Sequence, residues 1–353
     1  MIEKIFNKIW YVKKGENYFL FYRLVSLSLL PITFIYYIII SLRKYAYNSN
    51  LFKTHYFETP IIIVGNHIVG GSGKTPFCIW LANHLIDKGL RVGIISSGYR
   101  ALSKKPQLVN DKSDPNVVGD EAVMLAKLTE ADIVSCGNRV EATKLLINRC
   151  DNSIIIHDDG LQHLALGREL EIVLSKNKLD SNNLSIRDLL PSGPYRDFEY
   201  KEREGNFSDE DTTQSTKTSP VLSPVSYNNR IYDYGNISTI NKTLKSLSTN
   251  TTKNIEDFKN KTIHLVSGIA SVINICENLK KNKINVIVHK YHDHYKFNGS
   301  EFNFNDSLPI FVTMKDYVKL YNLKNKNIWV IDQTLIINKD FIEIIDKKID
   351  LII

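Results

Sequence analysis

A glycine-rich segment between a hydrophobic run and a helix-like run carries the clearest chemistry in this sequence. Residues 61–65 read IIIVG, which is typical of a buried strand, and residues 70–75 read GGSGKT. The backbone N–H groups of such a loop point into one concavity, and the next helix N-terminus adds partial positive charge, so phosphate oxygens fit there. The pattern predicts a P-loop, in which Lys74 reaches the β- and γ-phosphates of a nucleotide and the Thr75 hydroxyl holds Mg²⁺.

The strict P-loop pattern requires glycine at position 68, where this chain has Ile68. A tight turn without a ligand is the alternative, but the strand–loop–helix context favours a nucleotide site. We therefore expect the nucleotide to contact a continuous stretch of loop residues: Ile68, Val69, Gly70, Gly71, Ser72, Gly73, Lys74 and Thr75.

Two adjacent aspartates end a second strand-like run. Residues 154–163 read IIIHDDGLQH. A hydrophobic strand that ends in carboxylates is how P-loop proteins supply a further contact to Mg²⁺, directly or through water. Successive side chains of a strand point to opposite sides, so we expect at most one of Asp158 and Asp159 to face the loop squarely. The sequence leaves both as candidate metal ligands.

Three shorter motifs add further candidates. Asp120 follows Gly119 at the start of a helix-like run, where a carboxylate also suits the helix dipole. Arg196 ends the segment PSGPYR, which is either a rigid turn that presents this arginine to phosphate or a plain loop. Residues 291–295 read YHDHY, which is compatible with metal binding, with catalysis or with a solvated turn.

The elements that must position these residues form a regular pattern. Strand-like and helix-like runs alternate from residue 60 onward, which predicts a parallel, doubly wound α/β sheet. Residues 201–260 interrupt the alternation with Ser, Thr, Asn and charge and contain only short strand-like pieces such as 230–234, which indicates a polar connector. We expect an N-terminal apolar segment at 1–50, a P-loop kinase-type domain at 51–200, the connector at 201–260 and a smaller α/β domain at 261–353.

A run of 19 uncharged residues at positions 24–42 lies between Arg23 and the pair Arg43 and Lys44. About 17 apolar residues is the lower limit for crossing a bilayer, and this run contains Pro31. Basic residues on both sides give no orientation, and they suit a helix that dips into one leaflet beside anionic headgroups. The sequence predicts membrane association, with peripheral seating favoured over spanning; a helix buried on the protein is the alternative.

The overall composition excludes several classes of protein. With 353 residues of which 43% are hydrophobic, the chain is not disordered. A disulfide scaffold is excluded and free thiols are expected, because the cysteines lie far apart with no CxxC: Cys78, Cys136, Cys150 and Cys276. The net charge of +7 is spread along the chain without interleaved aromatics, so we expect no nucleic-acid partner.

Taken together and in this order, the motifs resemble the tetraacyldisaccharide 4'-kinase family, the membrane-associated lipid kinases of lipid A synthesis. The matching motifs are GNxxVGG[TS]GKTP at 65–76, ISxGY at 95–99, GDE at 119–121, DDGLQHxxLGR at 158–168, LLPxGPxR at 189–196, an Asp-His pair at 293–294 and TxKD at 313–316. The likeness runs from the apolar segment almost to the C-terminus. The family also lacks the first P-loop glycine, as this chain does at Ile68.

This resemblance implies transfer of the ATP γ-phosphoryl group to the 4'-hydroxyl of a tetraacyldisaccharide 1-phosphate, at the cytoplasmic face of the bacterial inner membrane. It implies that Lys74 and the loop hold ATP–Mg²⁺, with Arg196 beside the phosphates. It also implies that Asp120 is the base or positioning carboxylate for the sugar hydroxyl, and that His294 orients or tunes it. Since the two residues belong to different predicted domains, catalysis would require the domains to close.

Some positions depart from the family pattern. Ser97 stands where the family has arginine, Arg100 where it has glycine, and Asp197 where it has glutamate. The alternative hypothesis is a membrane-associated P-loop ATPase or GTPase that acts as a switch. Residues 177–180 read NKLD and fit the guanine-reading NKxD pattern, although such matches arise easily by chance in a chain rich in Asn and Lys.

Overall fold

Two β-sheets organise the chain, and helices pack around them. The computed structural model describes residues 2–12, 15, 17–70, 73–99, 101–175, 185–197, 230–233, 236–247, 251–269, 272–320 and 327–353. Within these ranges the first sheet has seven strands and the second has six. This is the mixed α/β architecture that the alternation of strand-like and helix-like runs predicts.

Three helices precede the first sheet: α1 (Ile2–Tyr11), α2 (Phe19–Ser28) and α3 (Leu30–Asn48). Many large apolar side chains on α2 and α3 are exposed, namely Leu20, Phe21, Leu24, Leu27, Ile32, Phe34, Ile35, Ile38, Ile39 and Leu42. Among the described residues, no single helix is long and apolar enough to cross a bilayer. The pair formed by α2 and α3, bent by 48°, meets that requirement by length and composition.

The first sheet contains β1 (Ile61–Gly65), β2 (Val92–Ser96), β3 (Gln107–Val109), β4 (Asp132–Ser135), β5 (Ile154–Asp158), β6 (Leu170–Val173) and β7 (Arg230–Tyr232). The strands lie in the order β3-β4-β2-β5-β1-β6-β7. β3 pairs antiparallel with β4, and the other neighbours are parallel. β1 and β5 are buried along their whole length because helices cover both faces of the sheet, and β1 and the first three residues of β5 are therefore continuous apolar runs.

The helices of the first sheet are α4 (Lys74–Asp87), α5 (Pro115–Val118), α6 (Asp120–Leu128) and α7 (Arg139–Arg149). On α4, Phe77, Leu81 and Leu85 recur every four residues and are fully buried in the core on one face of the sheet. On α7, Ala142 and Leu146 are buried in the core on the opposite face. The strands therefore lie between two helical layers, and their carboxyl ends open into the loops that carry the candidate site.

The second sheet contains β8 (Ile237–Ser246), β9 (Thr252–Asn254), β10 (Thr262–Ser267), β11 (Asn285–Lys290), β12 (Ile310–Thr313) and β13 (Ile328–Ile337), in the order β11-β10-β12-β13-β8-β9. β10 to β13 run parallel, and β8 and β9 are antiparallel to their neighbours. Two helices lie beside it, α8 (Ile273–Lys281) and α9 (Met314–Tyr317).

The structure differs from the sequence-based division of the chain in two places. The expected polar connector at 201–260 contains three strands in its described part: β7 adds a parallel edge strand to the first sheet, and β8 and β9 are antiparallel strands at one side of the second sheet. The final helix, α10 (Lys339–Asp350), does not stay with the second sheet. Its buried residues Phe341, Ile345 and Ile349 complete the core of the first sheet.

Candidate active site

The P-loop lies between the carboxyl end of β1 and the first turn of α4. Gly73 precedes α4 with φ 79°, and Gly70 has φ 123°, a left-handed range that glycine adopts without strain. The Lys74 ammonium donates to the side-chain oxygen of Asn66 at 3.0 Å. Lys74 therefore lies beside the loop at a helix N-terminus, which is where backbone N–H groups and the helix dipole favour a phosphate.

Two predicted loop residues make contacts within the protein. The Val69 N–H donates to the Pro194 carbonyl at 2.9 Å, and Ile68 forms a β-bridge with the same segment of chain. The Val69 amide is therefore engaged by the protein rather than directed at a phosphate. Two other predicted loop residues, Gly71 and Ser72, lie outside the described residues.

Asp158 faces the P-loop from the end of β5. Thr75 Oγ1 donates to Asp158 Oδ2 at 2.8 Å, while Oδ1 is buried with no hydrogen-bond partner among the described residues. Burial, followed by the negative charge of Glu121, raises the pKa of Asp158 to about 7. The Thr75 hydroxyl and the Asp158 carboxylate, one oxygen of which has no hydrogen-bond partner among the described residues, are hard oxygen ligands of the kind that bind a small divalent cation.

Asp159 also faces the P-loop, but its carboxylate contacts the positively charged side chains of Arg196 and Lys74. Arg196 donates to its two oxygens at 3.0 Å each, and the Lys74 ammonium lies 3.6 Å from Oδ1. Burial raises the pKa of Asp159, but the charges of Lys74 and Arg196 outweigh burial and hold the pKa below its usual value. This carboxylate is therefore ionised at neutral pH between two phosphate-binding candidates.

The expectation that at most one of the two aspartates faces the loop is wrong. β5 ends at Asp158, and Asp159 has φ 55°, so the strand alternation stops between them. Gly160 permits the tight turn that follows, because a Cβ atom there would lie 2.4 Å from the His157 ring. Both carboxylates consequently face the P-loop.

Asp120 and His294 meet across the two sheets. Asp120 begins α6 beside the first sheet and is 6% exposed, and His294 lies in the loop after β11. The His294 Nδ1 atom lies 2.9 Å from Asp120 Oδ2 and 3.0 Å from Oδ1. Burial raises the pKa of Asp120, but the hydrogen bond with His294 and the charge of Lys315 outweigh burial and hold the pKa below its usual value.

The cluster at 291–295 is thus part of this contact. The His294 N–H donates to the Gly268 carbonyl at 3.1 Å, and the Tyr99 ring packs 5.1 Å from the imidazole. Among the described residues, no group of three or more His, Cys, Asp or Glu side chains is arranged to hold a metal ion. The metal-binding alternative for this cluster therefore has no support in the described structure.

Sequence reasoning missed two cations, the buried Arg139 and the partly buried Lys315. Arg139, at the start of α7, donates through Nε to the His157 ring at 2.7 Å and through a terminal nitrogen to the Ser97 carbonyl at 3.2 Å. Lys315 contacts Glu121 and His294. No local pattern marks Arg139, whereas Lys315 lies in the TxKD motif at 313–316, which does not by itself indicate a role for the lysine. Arg100 lies outside the described residues.

The parallel sheet, the loop after its first strand, the paired carboxylates on the adjacent strand and the Asp–His contact together define a P-loop phosphotransferase. Residues 25–350 match the family model LpxK, described as tetraacyldisaccharide-1-P 4'-kinase. The chain therefore belongs to the tetraacyldisaccharide-1-P 4'-kinase family.

Known relatives agree with this assignment. A tetraacyldisaccharide 4'-kinase from Coxiella burnetii (strain Dugway 5J108-111) is 36% identical over 312 residues, which cover 88% of this chain and 87% of the relative. A tetraacyldisaccharide 4'-kinase from Ruthia magnifica is 35% identical over 332 residues, which cover 92% of this chain and 98% of the relative. The crystal structure of LpxK from Aquifex aeolicus in complex with ATP superposes with a TM-score of 0.70 at 26% identity, covering 93% of this chain and 99% of that one.

The predicted family, the P-loop-type α/β fold and the assignment as an ATP-dependent lipid kinase of lipid A biosynthesis are thereby confirmed. None of these relatives is a switch protein. The NKLD segment at 177–180, on which the switch hypothesis depended, lies outside the described residues.

Proposed function

We propose that this chain transfers the γ-phosphoryl group of ATP to the 4'-hydroxyl of a tetraacyldisaccharide 1-phosphate, with Asp120 as the base and His294 as the residue that orients it. The single observation that supports these roles best is the 2.9 Å contact between His294 Nδ1 and Asp120 Oδ2. It joins a carboxylate on the P-loop side to a ring from the second sheet, at one edge of the predicted phosphate site.

The phosphate side of the site is assigned to the loop and two cations. Lys74 and Arg196 flank Asp159, which holds them near the N-terminus of α4. Phosphoryl transfer passes through a loose transition state with charge on the phosphate oxygens, so the protein contributes mainly by positioning and by neutralising charge. We assign Lys74, the loop amides from Gly70 to Gly73 and Arg196 to this task.

The residues present fit a Mg²⁺ ion. Asp158 has a buried oxygen without a hydrogen-bond partner among the described residues, and its other oxygen accepts a hydrogen bond from the Thr75 hydroxyl. Burial and the charge of Glu121 raise the pKa of Asp158 despite the Thr75 hydrogen bond and Lys74, and this supports the placement of a further cation beside it. We assign Thr75 and Asp158 to the metal, with Asp159 nearby; Mg²⁺ would supply charge neutralisation for the phosphate oxygens.

The acceptor side depends on Asp120. Its Oδ1 atom accepts the Glu121 N–H at 2.9 Å, and Oδ2 receives the shorter His294 contact. A carboxylate held in this way accepts a hydrogen bond from a sugar hydroxyl and takes its proton as the bond to phosphorus forms. Asp120 lies beside the first sheet and His294 beside the second. We propose that closure of the two sheet-based parts of the chain brings these residues together and assembles the site.

We further propose that α2 and α3 seat the protein on the inner membrane, at its cytoplasmic face, where a lipid substrate is available. The exposed apolar side chains of these helices support this placement. The anionic headgroups are assigned to Arg23 and Lys53, which are exposed. Arg43 and Lys44 instead bind the protein, through the Gln162 carbonyl and the Asp197 carboxylate.

An acceptor-dependent assay tests the function. Purified protein, Mg²⁺ and γ-labelled ATP are incubated with the tetraacyldisaccharide 1-phosphate in mixed micelles, and label in the lipid is measured. We expect transfer that requires the acceptor and that falls about 10²- to 10³-fold in Lys74→Ala. Lys88→Ala, a change at the far end of α4, serves as the matched control. Label transfer equal to the Lys74→Ala background would contradict the proposal.

A further inference from the structure

Lys315 lies where the second sheet meets the Asp120–His294 pair. It belongs to α9, a short helix that follows β12 directly. Its ammonium nitrogen lies 3.2 Å from His294 Nε2, 3.1 Å from Glu121 Oε1 and 3.4 Å from Asp293 Oδ1. The side chain is 18% exposed. Burial lowers the pKa of Lys315, but the charges of Glu121 and its neighbours outweigh burial and raise the pKa above its usual value, so the group is a cation.

The hydrogen-bonding capacity of these groups fixes the proton on the imidazole. An ammonium group donates and has no lone pair to accept, so His294 Nε2 must be the acceptor in the contact with Lys315. An ionised carboxylate accepts and has no proton to donate, so His294 Nδ1 must donate to Asp120. One tautomer satisfies both contacts, namely the neutral imidazole with its proton on Nδ1.

We propose that Lys315 is a positioning residue for the phosphoryl transfer, which holds His294 in the neutral Nδ1–H tautomer and thereby keeps Asp120 ionised and oriented as the base. This inference rests on the roles proposed above for Asp120 and His294. It assigns a function to the lysine of the TxKD motif.

The two competing states of His294 are both opposed by Lys315. In the Nε2–H tautomer, the ring proton points at an ammonium group and the Nδ1 lone pair faces the Asp120 carboxylate, so both contacts become repulsive. In the imidazolium form, two positive groups lie 3.2 Å apart. Without the lysine, the penalty at Nε2 disappears from both states, although the Asp120 carboxylate still opposes the Nε2–H tautomer, so His294 binds a second proton more readily.

The same turn that places Lys315 also fixes the backbone of His294. Asp316 is fully buried and accepts hydrogen bonds from Thr313 Oγ1 at 2.8 Å and from the Gly268 N–H at 3.1 Å. The Gly268 carbonyl in turn accepts the His294 N–H at 3.1 Å. Lys315 thus holds the ring while its neighbour Asp316 holds the loop, which restricts the imidazole to one orientation.

Other charged groups near the Asp120–His294 pair also influence how kcat depends on pH. Those that face His294 or Asp120 are Glu121 on α6, Asp293 in the loop of His294, and Lys319 beside Asp316, together with the Tyr99 ring. Asp293 Oδ2 lies 3.6 Å from His294 Nε2, so it partly compensates the imidazolium form when the lysine is absent. Lys315 is the group in contact with both Glu121 and His294, which makes it the one to vary.

The test compares Lys315→Met and Lys315→Arg with Lys127→Met in the full-length enzyme. Lys127 lies on α6 and packs 5.7 Å from the Tyr317 ring at the same junction between the bodies, but it does not contact the Asp120–His294 pair. For each protein, kcat and KM for both substrates are measured between pH 5 and 9. The ring nitrogens of ¹⁵N-histidine-labelled protein are recorded by NMR, with His294→Gln to assign the signal.

We expect Lys315→Met to lower kcat at least 10-fold with little change in KM for ATP. A wrong histidine tautomer costs about 10⁴-fold in serine hydrolases, which sets an upper bound. Loss of the cation also raises the pKa of Asp120, so the acid limb of the kcat profile moves up by about 1 pH unit. Lys315→Arg keeps a cation and should retain the wild-type limb, and Lys127→Met should match wild type in every measurement.

Each result bears on the proposal. A neutral ring with its proton on Nδ1 in wild type, which gains a proton on Nε2 in Lys315→Met at the same pH, supports the proposal, as does the moved acid limb. An Nε2–H tautomer in wild type overturns the proposal. A lower kcat in Lys315→Met with no shift in its pH dependence also overturns it, in favour of a purely structural lysine. Failure of wild type to phosphorylate the lipid at all would instead contradict the proposed function, and the NMR signal is read independently of turnover.

Discussion

Arg196 donates to both carboxylate oxygens of Asp159, each at 3.0 Å, and thereby joins the segment at 189–197 to the end of β5. Lys74 lies 3.6 Å from the same carboxylate. Two cations therefore share one anion beside the P-loop. We infer that Asp159 holds both cations in place for the nucleotide phosphates, since without it they would repel each other.

Replacing Arg196 should weaken ATP binding in a graded way. Charge-assisted hydrogen bonds contribute about 1.5–3 kcal/mol, so we expect Arg196→Ala to raise KM for ATP about 10- to 100-fold. Arg196→Lys should lie between, because it keeps the positive charge but lacks the planar set of N–H donors of a guanidinium. Steady-state kinetics at saturating acceptor measure the effect. Arg91→Ala, which breaks an exposed pair with Asp151, should leave KM unchanged; an equal KM for wild type and Arg196→Ala would contradict the inference.

Asp120 and His294 should act as one unit. We expect Asp120→Asn to lower kcat about 10²- to 10⁴-fold with little change in KM for ATP, because the base acts on the acceptor side. His294→Gln should cost less, and the double variant should be no worse than Asp120→Asn, since residues that act together are non-additive. Asp87→Asn, an exposed change at the end of α4, is the matched control. Additive losses in the double variant, or an effect confined to ATP binding, would refute this arrangement.

The phosphate side of the site was predictable from sequence because its residues are close in the chain. A P-loop is a local strand–loop–helix unit, so Lys74 and Thr75 follow from their spacing. The aspartates of β5 follow from the rule that carboxyl ends of parallel strands meet at one edge of a sheet. The turn at Asp159 did not follow, because no local pattern indicates that this residue adopts a positive φ directly after the strand.

The acceptor side was predictable only by resemblance. Asp120 and His294 are 174 residues apart, and no periodicity or spacing relates them. The pairing of β8 and the position of α10 were not predictable for a related reason. β8 is polar and unremarkable in sequence, yet it pairs along β13, and α10 returns to the first core through three apolar residues. Such long-range pairing is decided by tertiary packing rather than by local pattern.

His67 should make stability sensitive to mild acid. Neither ring nitrogen has a hydrogen-bond partner among the described residues, and burial, followed by the charge of Arg230, lowers the pKa of His67 to about 4. An unfolded histidine has a pKa of about 6.5, so below that pH the unfolded chain binds a proton that the folded chain refuses. Protonation of this residue therefore leaves the free energy of unfolding unchanged above pH 6.5 and lowers it by about 2 kcal/mol at pH 5.

The variant His67→Leu tests this dependence. It removes the buried nitrogens at similar volume, so we expect a higher melting temperature at pH 7 and a smaller decrease between pH 7 and 5. The decrease should not vanish, because burial also lowers the pKa of His163 to about 4. His292→Leu, at an exposed position, serves as the control for thermal unfolding. A melting temperature with the same pH slope in His67→Leu and wild type would exclude this role.

The exposed face of α3 should control membrane binding. Ile35 and Ile39 lie one helical turn apart and are 58% and 57% exposed. Insertion of two such side chains contributes about 3 kcal/mol, so Ile35→Asp with Ile39→Asp should weaken binding to vesicles of anionic phospholipid about 100-fold in a sedimentation assay. High salt should weaken wild-type binding further if Arg23 and Lys53 contact headgroups. Ile344→Asp, an exposed change on α10, should bind as wild type does. Equal binding of the double variant and this control would show that α3 does not meet the membrane.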